Sequence, residues 1–448
     1  MPRLVRLSLY IGAIIIGAWV IQGSGAETAP RDLSGQLPRI PPTGPADALS
    51  KFQVKPGFRI EQVVAEPLVN SPVAMTFDED GRMFVCEMRG YCTAPDEHVS
   101  SIRLLVDTDS DGHFDQATVY VDKLRWPTTV TCWDGGIFVA DAPDVWYFKD
   151  TNDDGQADVR TKIYTGFGDY NCDGLLNSFH WTLDNRIELA TSSTGGDIAR
   201  VGEGGKILKD VRPRSIRGRD IALDPRTLEF ETTSGALQYG MSFDDWGHKF
   251  VSGNHNPVEQ VMYEDRYLNR APYVVAPAAN VEIDEEGPVG PVYRTSAIEP
   301  WRILRTKMRV AGEVRGPIEG GGTPAGYFTS ATGVTIYRGT ALPKDMYGVA
   351  FVGEVAGNLI HRKRLEPDGL QFIARRIDER SEFVTSTDNW FRPAQFAHGP
   401  DGALYVVDVY REVIETPLAI PDDIKKHLDV RAGVDRGRIY RIVADTFT

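Results

Sequence analysis

The chain has 448 residues, 42% hydrophobic and 25% charged, with a formal net charge of −14 at pH 7. Such a composition carries enough apolar material for a large core and excludes a disordered or low-complexity chain. The acidic balance excludes a nucleic-acid partner, which calls for a basic stripe.

At the N-terminus, Arg3 and Arg6 precede the apolar run Leu7–Ile21, and Ser24-Gly25-Ala26 is a small-residue cleavage pattern. The run is shorter than the roughly 20 residues that span a bilayer, so residues 1–26 are expected to be a signal peptide. The mature protein is then exported, periplasmic or extracellular; an uncleaved segment would instead tether it to the membrane. Residues 27–50 are rich in Pro, Gly and Ser and read as a linker, and residues 51–448 read as one domain.

From residue 51 onward, short runs of Val, Ile, Tyr and Phe are cut by Gly, Asp and Pro, a strand signature. One helix is expected, near 421–430, where Pro421 and two aspartates open PDDIKKHLDV. A single unit recurs: apolar strand, acidic or glycine turn, second apolar strand. It begins at residues 72, 127, 177, 238, 332 and 393. A hairpin of this kind cannot bury both faces alone, whereas four-stranded blades packed radially can. The fold class is therefore all-β, a six-bladed β-propeller with an insertion near 260–330 that leaves room for a further blade. The last strand, in GRIYRIV (437–443), is suited to close the ring on FQVKPGFRIEQVVA (52–65).

Two loops of one pattern lie between these units, DTDSDGHFD (107–115) and DTNDDGQAD (150–158). Asp107, Asp109, Asp111 and Asp115 stand at positions one, three, five and nine, with His113 at seven. Asp150, Asn152, Asp154, Gln156 and Asp158 repeat the set. Side-chain oxygens at one, three, five and nine with a backbone carbonyl at seven suit Ca²⁺, which takes about six to eight oxygen ligands. Position twelve is Thr118 or Thr161, so no EF-hand is implied. The loops read as structural clips on blades.

Cys86 and Cys132 fall in strand-like runs and read as buried thiols; Cys92 and Cys172 fall in loops and are free to pair. No CxxCH occurs, so the chain carries no haem of its own.

The stretches GFRIEQVVAEPLVNSPVAMTFDEDGRMFVCEMRGY, GPIEGGGTPAGYFTSATGVTIYRG, STDNWFRPAQFAHGPDGALYVVDVYREVIE and DRGRIYRI resemble the N-terminal domain of PVC-type membrane-bound dehydrogenases. That family is similar in turn to the soluble quinoprotein glucose/sorbosone dehydrogenases. The resemblance implies oxidation of a sugar or alcohol with pyrroloquinoline quinone and calcium, and transfer of electrons to a separate acceptor such as a c-type cytochrome. Arg392 lies where such enzymes place a quinone-binding arginine. The stretch that carries their catalytic histidine here reads NCDGLLNSFHW and offers Asn171, Asp173 and Asn177, while His180 falls inside the strand.

The remaining polar residues expected at the propeller mouth give a candidate site. His255 and Asp388 are the candidate bases, and Arg89, Arg302, Trp390, Arg392 and Arg411 the candidate cofactor ligands. Arginines with aromatics at one mouth suit a hydroxylated or anionic ligand. Two other readings compete with the dehydrogenase. One is a non-catalytic glycan- or protein-binding propeller with structural calcium. The other is a metal-dependent lyase or lactonase, which requires Glu87, Asp388 and Asp408 to converge.

Overall fold

The computed structural model describes residues 32–208, 213–268, 270–271 and 273–447. The expected signal peptide and the first residues of the expected linker lie outside them. Among the described residues, no helix is long and apolar enough to cross a membrane.

Six antiparallel sheets form the blades of a β-propeller. Blade 1 comprises Pro72–Phe77, Met83–Glu87, Ser100–Val106 and Gln116–Leu124. Blade 2 comprises Pro127–Trp133, Gly136–Asp141, Asp144–Lys149 and Val159–Phe167, extended at its edge by Gly196–Arg200 and Arg214–Ser215. Blade 3 comprises Asn177–Trp181, Ile187–Ala190, Asp220–Asp224 and Glu229–Thr233; blade 4 comprises Met241–Phe243, Lys249–Gly253, Asn256–Val261 and Asn280–Glu282. Blade 5 is built on Ala331–Ile336, Ala350–Glu354, Leu359–Asp368 and Gln371–Arg376, and also pairs with Val384–Ser386 and Phe52–Val54. Each recurrent unit of the sequence supplies the two innermost strands of one blade. Those inner strands touch in sequence around the axis, and the sixth returns to the first.

Blade 6 joins the two ends of the domain. Pro393–His398, Leu404–Asp408 and Arg438–Ala444 are followed, outermost, by Phe58–Ala65. Ile60 faces Ile442 and Gln62 faces Tyr440 in antiparallel register, the closure expected from the sequence. The second strands Met83–Glu87, Gly136–Asp141, Ala350–Glu354 and Leu404–Asp408 are buried throughout, because neighbouring blades cover both their faces.

Among the described residues, the 260–330 region holds no further blade. It supplies the outer strand of blade 4 and then the helix Pro300–Val310, the longest among the described residues. Its Pro300 opens the first turn, where a missing N–H costs nothing. Trp301 and Met308 are buried with Leu33, Leu37, Val413, Ile420 and Ile424 in a separate apolar cluster. The stretch read as a linker is therefore docked over the part the structure describes. Arg39 Nε donates to Glu412 Oε2 at 2.7 Å, and Trp390 Nε1 donates to the Ile40 carbonyl at 2.9 Å. The helix expected over 421–430 is shorter, Asp422–Lys425.

Candidate functional site: a capped cavity at the propeller mouth

Strand direction separates the two ends of the propeller. The chain enters each inner strand and leaves each second strand at one end, and that end surrounds a cavity of about 380 Å³. Val73, Thr128, Asn171–Asp173, Gln238, Tyr239, Thr332 and Ala394 form its floor and wall. Arg305 and Arg309 of the helix Pro300–Val310, with Glu319, Glu415 and Thr416, form its roof.

The floor is closed. The Tyr239 hydroxyl crosses from blade 4 to donate toward the carbonyls of Thr128 at 3.0 Å and Val73 at 3.3 Å, on blades 2 and 1. Burial pushes the Tyr239 phenol well above its ordinary value, so it stays a neutral donor.

Asp173 is the carboxyl group of the wall. Its Oδ1 accepts the Tyr91 hydroxyl at 2.6 Å, and its carbonyl accepts Gln238 Nε2 at 3.0 Å. Burial pushes its carboxyl up to about 6; the Tyr91 hydrogen bond opposes the rise and the nearby Glu415 adds to it. The preceding residue, Cys172, forms a disulfide with Cys92, eighty positions earlier, which ties the wall of blade 3 to the loop carrying Tyr91. Across the roof, Arg305 Nη1 donates to Glu415 Oε2 at 2.8 Å.

Asn171 and Asp173 line this cavity, whereas none of the candidate bases and cofactor ligands named from sequence does, and Arg302 lines only a small gap beside its roof. His255 stands at the rim, 39% exposed, with Nε2 3.8 Å from Glu319 Oε1. Asp388 is buried, accepting the Tyr410 hydroxyl at 2.8 Å and the Trp390 N–H at 2.9 Å. Arg392 is wholly buried and its donors are engaged. They reach Glu299 Oε1 at 3.1 Å and the carbonyls of Val355, Arg411 and Glu412. Trp390 packs 5.5 Å from Tyr410 and holds the N-terminal segment. Arg302 lies 3.7 Å from Glu299 Oε2. Arg411 donates to Ser71 Oγ at 3.1 Å and stands 5.9 Å from the Tyr91 ring, behind the cavity wall; burial lowers its pKa to about 10. Arg89 is half-buried, with an unpartnered Nε.

The convergence that a metal-dependent lyase requires is absent, because the acids serve another purpose. Glu87, Asp141, Glu354 and Asp408 each end the second strand of their blade. Each accepts backbone N–H groups of the loop entering an inner strand: Asn70 for Glu87, Arg125 and Trp126 for Asp141, Thr329 and Ser330 for Glu354, Arg392 for Asp408. Buried N–H groups without a partner are costly, so these acids are blade-end caps.

The acidic loops lie at the opposite end of the strands, between the third and fourth strands of blades 1 and 2. In the first, Asp107 accepts the N–H groups of Asp111 and Gly112, and Thr108 Oγ1 donates to Asp115 at 2.6 Å. In the second, Asp150 accepts those of Asp153 and Gly155, and Thr151 Oγ1 donates to Asp158 at 2.7 Å. Gly112 and Gly155 take φ of +88° and +80°, which glycine adopts without strain. One oxygen each of Asp107, Asp109 and Asp111 lies within 4.8 Å of the others. The eighth residue of each loop seats it on the blade before: Phe114 N–H donates to Val63 O on blade 6, and Ala157 N–H to Tyr120 O on blade 1, both at 2.9 Å.

Fold and site together define a six-bladed β-propeller with a closed floor and a helix-capped cavity. The chain belongs to the family described as domain of unknown function DUF7133, whose model matches residues 44–446. Comparison with curated proteins gives no match. Similar solved structures include an oxidoreductase (glucose dehydrogenase) of Thermus thermophilus, at 15% identity and TM-score 0.46 over 86% of this chain and 100% of that one. A PQQ-bound aldose sugar dehydrogenase of Streptomyces coelicolor is 12% identical, TM-score 0.46, over 87% and 100%. The calcium structure of a Trichoderma reesei carbohydrate-active enzyme of family AA12 is 12% identical, TM-score 0.47, over 91% and 99%. At these identities the likeness concerns fold alone.

Proposed function

We propose that the capped cavity binds a polyhydroxylated small molecule of the sugar class and that Asp173 accepts a proton from one of its hydroxyls. The observation that carries this reading is a half-buried carboxylate in the cavity wall, oriented by the Tyr91 hydroxyl at 2.6 Å and pushed up to about 6 by desolvation. A general base works best with a pKa near the operating pH. Around it, Asn171, Gln238, Asn254 and Thr332 supply uncharged groups of the kind that hold sugar hydroxyls.

Sugar or alcohol oxidation, which the sequence resemblance supports, would move a hydroxyl proton to Asp173 and the carbon-bound hydride to a separate two-electron acceptor of the quinone class. The lining does not fit pyrroloquinoline quinone. A planar tri-acid on this floor would meet Asp173, and the lining cations, Arg305 and Arg309, both belong to the roof. Arg392, the arginine expected to hold it, is engaged elsewhere. Calcium belongs to the proposal at the two acidic loops, where the donor set is oxygen-only and the role is to hold blades. The disulfide supports an exported protein, since such bonds persist in oxidising compartments.

The test is binding of a panel of neutral hexoses, pentoses and polyols by calorimetry and thermal shift. We expect at least one ligand, binding that strengthens as pH rises through about 6, and loss of that pH dependence in Asp173→Asn. If no sugar binds, or the variant keeps the wild-type pH profile, the assignment fails.

A further inference from the structure

The helix Pro300–Val310 places Arg302, Arg305 and Arg309 on one face, at spacings of three and four residues. Arg302 and Arg305 are buried, 3% and 4% exposed, with guanidinium groups 4.7 and 4.9 Å from the Trp301 ring. In all three arginines Nε is buried without a hydrogen-bond partner. Arg302 Nε still faces Glu299 Oε2 at 3.7 Å, but buried donors left unmade are rare and costly, so those of Arg305 and Arg309 point to a missing acceptor.

The charges point the same way. Arg294, Arg302 and Arg392 all lie within 4 Å of the single carboxylate of Glu299, which their positive charge holds down at about 2 against its burial. Arg305 has Glu415. Arg309 reaches only the carbonyls of Pro317 and Ala419, with no carboxylate within 4 Å among the described residues. Of the other acids nearby, Glu319 leans to His255, and burial pushes Glu354 up to about 7. Arg309 is thus the member of this arginine set that has no carboxylate within 4 Å among the described residues.

Arg302, Arg305, Arg309, Glu319 and Tyr327 surround a gap of about 10 Å³, the size of one water. Arg305, Arg309, Pro317 and Glu319 line both this gap and the main cavity, so the gap adjoins the cavity. A water in the gap would satisfy N–H groups and leave the charge. An oxygen of a ligand anion, entering from the main cavity, would answer both.

We propose that this arginine face is an anion subsite and that the sugar bound below it carries a carboxylate or a sulfate ester. The inference rests on the reading that the cavity takes a sugar. Guanidinium is suited to both oxyanions through paired N–H donors. No bond is made or broken at the roof; the subsite selects and orients the ligand.

Calorimetry on the full chain compares glucose with glucuronate, and galactose with galacturonate and galactose 6-sulfate. We expect an acidic sugar to bind at least tenfold tighter than its neutral parent, with an advantage that shrinks as salt rises. Arg309→Gln should bring acidic and neutral sugars within about twofold of each other. The stronger of the uronate and sulfate arms identifies the oxyanion. Neutral sugars binding as well as acidic ones would overturn the subsite and leave the sugar site standing. A preference that survives both Arg309→Gln and Arg302→Gln would also overturn it. Failure of every sugar would remove the sugar site as well.

Discussion

The two ends of this propeller are built differently. At one end, each acidic loop is assembled from nine consecutive residues whose side chains fold back on their own backbone. At the other, the cavity gathers Tyr91, Asp173, Tyr239, Arg305 and Glu415 from across the chain, under a roof whose helix is itself an insertion. A loop closed by local contacts keeps its geometry through its own hydrogen bonds. A capped mouth keeps its geometry only while buried charges hold separate segments together.

The sharpest way to break that contrast is at Glu299. It is the residue before the cap helix, and its carboxylate meets Arg392 of blade 6 along with Arg294 and Arg302. Removing one member of a buried charge set leaves the others uncompensated, which costs about 3–5 kcal/mol. Glu299→Gln should lower the melting temperature by several degrees and open the 294–330 region to limited proteolysis, with the acidic loops unaffected. An unchanged protease pattern would mean the roof is held by its apolar cluster alone.

This asymmetry also explains what is legible in the sequence. The six hairpins and the acidic loops each occupy a short window, so their periodicity and turn chemistry show them directly, and the ring closure follows from the one strand left at each end of the domain. The cap helix carries a signal of its own, Pro300 at its start with Trp301 and Met308 on a buried face, but sits in a glycine-rich insertion that strand spacing obscures. Asp388, Trp390 and Arg392 precede the inner strand of blade 6, at the end of the propeller that holds the cavity. What no local window shows is that residues 33–51 fold back over them and that Glu299 reaches down to Arg392. Asp173 is visible in the sequence but stands where the resemblance calls for a histidine. Its importance comes from burial, from Tyr91 eighty-two positions earlier, and from the disulfide beside it.

A smaller effect, confined to the capped end, concerns pH. Burial raises the Glu354 carboxyl from 4.5 to about 7, against two backbone hydrogen bonds and the charges of Arg302 and Arg294. Because the folded pKa lies above the unfolded one, the contribution is complete below about pH 4.5 and is lost as pH rises through about 7. The loss is on the order of 3 kcal/mol if nothing relaxes. Glu354→Gln should therefore flatten the fall in denaturant midpoint between pH 5 and 8. Parallel profiles for the two proteins would show that Glu354 titrates normally.

The smallest effect separates the two loops from each other. With a Kd in the range of extracellular calcium modules, millimolar calcium stabilises each loop by about 0.4–1.4 kcal/mol. Chelation should lower the melting temperature, and metal analysis of the untreated protein should find calcium. The loops should not contribute alike. The second joins blades 1 and 2, which are adjacent in sequence, through Ala157 and Tyr120. The first joins blade 1 to the outer strand of blade 6 through Phe114 and Val63, so it fastens the strand that closes the ring. Loosening a contact between sequence neighbours leaves them tethered by the chain, whereas loosening ring closure frees the N-terminal strand. Asp111→Ala should therefore remove more of the calcium response than Asp154→Ala, and should increase hydrogen exchange along residues 58–65. Equal responses from the two variants would mean that the clips act on their own blades and not on the closure.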